Sequence, residues 1–95
     1  MVFFCEIECY PITDFAVVAE RSLVVFADGL SLVAYGADGI CWRTRRLVFD
    51  ELRILGVEGE CLRVSGWGAG DAYPEFTVRL TTGEDRQLTG HRLWL

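Results

Sequence analysis

The sequence predicts an all-β fold: a single-domain antiparallel β-sandwich or small barrel of about seven or eight short strands. Three observations carry this. Apolar runs are short and several alternate with polar residues, as in Glu75 to Thr81, where Phe76, Val78 and Leu80 share one face. Turn chemistry recurs roughly every ten residues, at Asp28-Gly29, Gly36 to Gly39, Glu58-Gly59 and Thr82-Gly83-Glu84. The 95 residues make one domain, residues 1–95.

Taken in order, Val2 to Tyr10 reads as a strand with Phe3, Cys5, Ile7 and Cys9 towards the core. Pro11 ends it. Thr13 to Arg21 is open to two readings. Thr13 or Asp14 could cap a short helix, but the paired valines favour a strand. Leu23 to Arg46 reads as a three-stranded meander. Its first turn is Asp28-Gly29, a type I′ signal between Leu23–Ala27 and Leu30–Tyr35. Its second is the four-residue loop Gly36-Ala37-Asp38-Gly39. The third strand alternates, with Ile40, Trp42 and Thr44 opposite Cys41, Arg43 and Arg45.

Leu47-Val48-Phe49 continues apolar, and Asp50-Glu51 interrupts it as a bulge or tight turn. Leu52 to Val57 is a strand. Glu60 to Ser65 returns, with Leu62 and Val64 inward. Gly66 to Pro74 is the one long loop, its glycines and proline opposing regular structure. Asp85 to Leu88 adds a last short strand. Arg92-Leu93-Trp94-Leu95 makes an apolar tail suited to docking.

Ala34-Tyr35-Gly36-Ala37-Asp38-Gly39-Ile40-Cys41-Trp42 resembles the turn and docking tryptophan of a quinoprotein-type β-propeller blade. Gly36 stands where that family usually has Asp, and no second copy of the pattern occurs. The resemblance implies local blade-like geometry and carries no cofactor. Overall the chain resembles small bacterial β-proteins, which implies a fold class and no activity.

Apolar residues make up 52% of the chain, which is rich for so small a body and points to self-association or a protein partner. The net charge is −5, and it sits in the first half. Glu6, Glu8, Asp14, Glu20, Asp28 and Asp38 face only Arg21 there, whereas residues 41–95 balance. An acidic total argues against nucleic acid and suits a partner with a basic surface. No apolar run has the length of a membrane span. The start Met1-Val2-Phe3-Phe4 lacks a basic stretch, so a cytoplasmic location is expected, with the four cysteines reduced.

Cys5 and Cys9 lie roughly 13 Å apart along one strand face, too far for one tetrahedral zinc, and read as buried small side chains. His91 has no nucleophile near it in sequence. Asp71 and Glu75 flank the glycine loop and could act as an acid/base pair, but read as solvated turn residues. Trp67 and Tyr73 on that loop are candidate recognition anchors, with Asp71 between them, and Trp67 could instead fold back as a core lid. Arg43, Arg45 and Arg46 could form an outward ladder with Arg63 and Arg79 if their strands pair, and cross-strand acids could neutralise it.

These residues lead to a non-enzymatic protein-binding or accessory module without metal or cofactor. It acts through an acidic and aromatic surface at Trp67, Tyr73, Asp71, Trp94, Arg43 and Arg45, and it self-associates. Two alternatives stay open. One is a small-molecule or enzymatic pocket built from Trp42, Trp67, Tyr73, Asp71 and His91. The other is an assembly subunit that buries Phe3, Phe4 and Trp94.

Overall fold

The computed structural model describes residues 11–70 and 72–88. The expected strand Val2 to Tyr10, Asp71, His91 and the tail at Trp94 lie outside the described residues.

The described chain is all-β. Its strands are β1 (Asp14–Val18), β2 (Leu23–Ala27), β3 (Leu32–Gly36), β4 (Gly39–Arg43), β5 (Asp50–Glu58), β6 (Cys61–Trp67), β7 (Glu75–Arg79) and β8 (Asp85–Gln87). They form two four-stranded antiparallel sheets, β1-β2-β3-β4 and β5-β6-β7-β8. Each sheet is a meander of sequence neighbours, so every pairing is local along the chain. The valines of 13–21 do form a strand, and only Ala19–Arg21 make a single 3-10 turn after it.

One core serves both sheets. Val18, Leu23, Val25, Ala27, Leu32, Ala34 and Trp42 from the first pack with Leu52, Leu62, Val64, Phe76 and Val78 from the second. The alternation of β2, β6 and β7 delivers these residues, and Arg63 and Ser65 of β6 point away as the sequence predicts. Between the sheets, residues 44–49 form no strand, yet Leu47 and Val48 are fully buried. The Leu47 amide donates to Leu30 O in the β2–β3 turn at 2.8 Å and the Phe49 amide to Trp67 O of β6 at 2.9 Å, so this crossover is held from both sides.

The sheets are fastened along both sides. On one, the Trp42 indole Nε1 donates to Leu80 O at 2.8 Å, and the Arg45 guanidinium meets Asp85 at 2.9 Å. On the other, Asp14 Oδ2 accepts the Ile54 amide at 2.8 Å, which joins β1 to β5. A side-chain acceptor here satisfies a backbone donor that the sheet pairing of β5 leaves over.

Four expectations are corrected. Asp28-Gly29 is not a two-residue turn. Asp28 Oδ1 accepts the amides of Leu30 (2.9 Å) and Ser31 (2.8 Å), and this side-chain turn removes both residues from β3. The tight hairpin is the second one: Gly36 pairs with Gly39 around Ala37-Asp38, where a four-residue loop was expected. In β4 the alternation breaks, because Tyr35 opposes Ile40 while Ala34 opposes Trp42. Cys41 is the extra residue of this bulge, so Ile40 and Trp42 do not share a face. Finally, β6 runs on through Gly66 to Trp67. A Cβ at Gly66 would stand 2.7 Å from Val48 Cγ2, so glycine here lets the strand lie against the crossover.

Candidate functional site

The outward faces of the two sheets differ in chemistry. On the first sheet, Phe15 opposes Phe26, Val17 opposes Val24, Val24 opposes Tyr35 and Phe26 opposes Val33. These residues alternate with the core set, so they form the sheet's other face. Phe26 and Tyr35 meet edge to face, with centroids 5.8 Å apart at 74°. Val33 and Tyr35 are only 3% and 8% exposed there and form a second small apolar cluster. Towards β1 the face opens: Phe15 is 61% and Val17 63% exposed. Near-continuous apolar strands are the sequence signature of a sheet with two apolar faces.

The outward face of the second sheet is polar. Arg63 Nε meets Glu75 at 2.8 Å, and its Nη1 meets Glu58 at 3.2 Å. These hydrogen bonds, Glu58 first and Glu75 second, raise the guanidinium pKa above its ordinary value. At one end of this face lies an open depression of about 410 Å³ lined by Glu51, Arg53, Leu55, Ser65, Gly66 and Tyr73. Ser65 Oγ donates to Pro74 O at 3.0 Å and so anchors the chain beside Tyr73.

The structure separates the residues singled out in the sequence. Tyr73 is exposed on the rim of the depression. Trp67 is half-buried and fastened: its Nε1 donates to Gly70 O at 2.8 Å, and its ring meets Phe49 edge to face at 6.3 Å. Arg46 lies over the other ring of this stack, 5.6 Å from the Phe49 centroid, and donates to Val48 O and Phe49 O. Trp67 thus covers the crossover and is not free to move with the loop. Arg43 is exposed opposite Val33, whereas Arg45 is taken up by Asp85.

No arginine ladder forms, because β4 belongs to one sheet and the strands of Arg63 and Arg79 to the other. Trp42 lies in the core, bonded to Leu80, and does not line a pocket with Tyr73. Sequence reading passed over Arg53 and Leu55 as site residues. The one legible signal was Asp50-Glu51, whose interruption of an apolar run is a register shift in β5.

Among the described residues, no group of three or more His, Cys, Asp or Glu side chains is placed to hold a metal ion. Cys41 is exposed and Cys61 half-buried, both as free thiols. No helix among the described residues is long and apolar enough to cross a membrane. Comparison with protein-family models, with curated proteins and with solved structures finds no match.

Proposed function

We propose that this all-β domain is a β-sandwich and a non-enzymatic, cytoplasmic binding module that works by self-association through the β1 side of the first sheet's outer face, where Phe15 and Val17 are exposed. One observation carries the reading. The two most exposed large apolar side chains among the described residues, Val17 and Phe15, stand two positions apart on β1, which is the outermost strand of that sheet among the described residues. Singly exposed apolar residues are ordinary, but neighbours on an edge strand invite pairing. The arrangement is self-complementary. An antiparallel two-fold contact centred on Ala16 sets Phe15 of one copy against Val17 of the other, and the reverse. The second copy is therefore the occupant that this face fits.

Hydrogen–deuterium exchange at rising protein concentration tests the contact. The amides of Asp14–Val18 should slow as concentration rises, while those of β4 and β8 stay unchanged. Exchange independent of concentration, or protection confined to another strand, would remove this surface from the account.

A further inference from the structure

The depression on the second sheet has three properties that self-association does not use. First, it holds opposite charges that do not neutralise one another. Glu51 and Arg53 both line it, yet neither side chain has an ion pair or a hydrogen bond with the described residues. On the same face Arg63 is held by two acids, whereas the Arg53 guanidinium keeps its donors for a ligand. Second, two of its walls are exposed apolar surface, Leu55 at 55% and Tyr73 at 58%.

Third, one of its lining residues has a strained backbone. Glu51 adopts φ +59 and Ala69 φ +98, in the region that favours glycine. Glu51 lines the depression, and Ala69 belongs to the loop that leads to Tyr73. Strained residues of this kind cluster at binding sites, where the fold holds a side chain in a fixed place. Here the strained backbone of Glu51 falls at the register shift in β5 between Asp50 and Arg53, and both Glu51 and Arg53 line the depression. The volume of about 410 Å³ suits a small molecule.

We propose that this depression binds an amino-acid-type zwitterion with an apolar side chain. Arg53 takes the carboxylate through its planar fork of donors. Glu51 takes the ammonium. The side chain lies along Leu55 and Tyr73, whose ring offers a flat apolar wall. Ser65 holds the Pro74 carbonyl and keeps Tyr73 at the rim. This site is on the sheet opposite the proposed self-association face, so the two readings stand or fall separately.

The test is a nitrogen-15 amide shift titration of the full chain with three probes: L-phenylalanine, 3-phenylpropanoate and 2-phenylethylammonium. The last two each lack one charge of the first. L-Phenylalanine should bind saturably and at least about tenfold more tightly than either. Its shifts should centre on Arg53, Ser65, Gly66 and Tyr73. Arg53→Gln should abolish the preference over 2-phenylethylammonium, and Glu51→Gln the preference over 3-phenylpropanoate. Spectra of the variants without ligand report whether each is folded, and Tyr73→Ala provides a second variant that leaves both charges in place and should weaken all three probes. Absence of saturation up to about 50 mM, equal binding of the three probes, or shifts centred elsewhere would overturn the site.

Discussion

Gly83 lies flat against the Trp42 ring. A Cβ at Gly83 would stand 2.6 Å from Cε3 and 2.7 Å from Cδ2, and the glycine backbone is held at φ +77. With the indole hydrogen bond to Leu80, the turn after β7 thus wraps two sides of one buried side chain from the opposite sheet. Gly83→Ala meets both obstacles at once, a rigid ring and a left-handed backbone. The expected loss is about 2–4 kcal/mol of unfolding free energy, measured by urea denaturation, with the m-value unchanged. A loss below about 0.5 kcal/mol would mean that the turn is free to move off the ring.

Trp42→Phe isolates the hydrogen bond from the packing. It keeps an aromatic body in the core but leaves Leu80 O without its donor. Burial of an unsatisfied carbonyl together with the lost ring volume should lower stability by about 2–3 kcal/mol. Thermal unfolding reads this directly, and a neutral result would place the indole edge in water.

Asp14→Ala tests the opposite side. The Ile54 amide loses its acceptor at 2.8 Å, and β1 loses its link to β5. We expect about 1–2 kcal/mol of destabilisation. Amide exchange should accelerate at Ile54 more than at Val64 in the strand beside it. Equal acceleration across both sheets would show a general loosening instead of a broken fastening.

Glu51→Gly predicts a gain. Glycine adopts φ +59 without strain, so the substitution should raise stability by about 1 kcal/mol. It also removes the carboxylate from the depression. A variant both more stable and unable to distinguish L-phenylalanine from 3-phenylpropanoate would show strain held for binding. A destabilised variant would show that Glu51 contributes packing that outweighs its backbone.

The first half of the chain is acidic, so two copies brought together along β1 repel one another. Screening weakens that repulsion, with a Debye length of about 8 Å at physiological ionic strength against about 30 Å at 0.01 M. Self-association should therefore strengthen as salt rises from 0.01 to 0.15 M, about several-fold in the dissociation constant. Analytical ultracentrifugation at both concentrations gives the sign. Weakening with salt would point to a contact between opposite charges.

The strand set and the inward residues of β6 and β7 were legible because alternation is a local property. Leu62, Val64, Phe76 and Val78 are all fully buried, and the turns at Gly59 and Thr82-Gly83 fall where glycine and threonine mark them. The hairpin types were not legible. Asp28 and Asp38 both precede glycine, but only Asp28 captures two following amides, a choice made by the fold around it. The run 47–49 reads in sequence only as apolar, because burial and strand share one composition, and the structure buries Leu47 and Val48 in a crossover. Arg53 could not be told from other arginines, since pairing with acids depends on which strands become neighbours. Trp67 was ambiguous for the same reason: its partners Phe49 and Arg46 come from the crossover, not from its own loop.

We propose that β1 joins two copies of the chain. Light scattering coupled to size exclusion, on the reduced protein from micromolar to millimolar concentration, tests it most directly. The mass of the wild type should rise towards twice 10.7 kDa. Val17→Lys should stay at 10.7 kDa with an unchanged melting temperature. A wild type that remains monomeric across the whole range, or a Val17→Lys variant that associates as strongly, would contradict it.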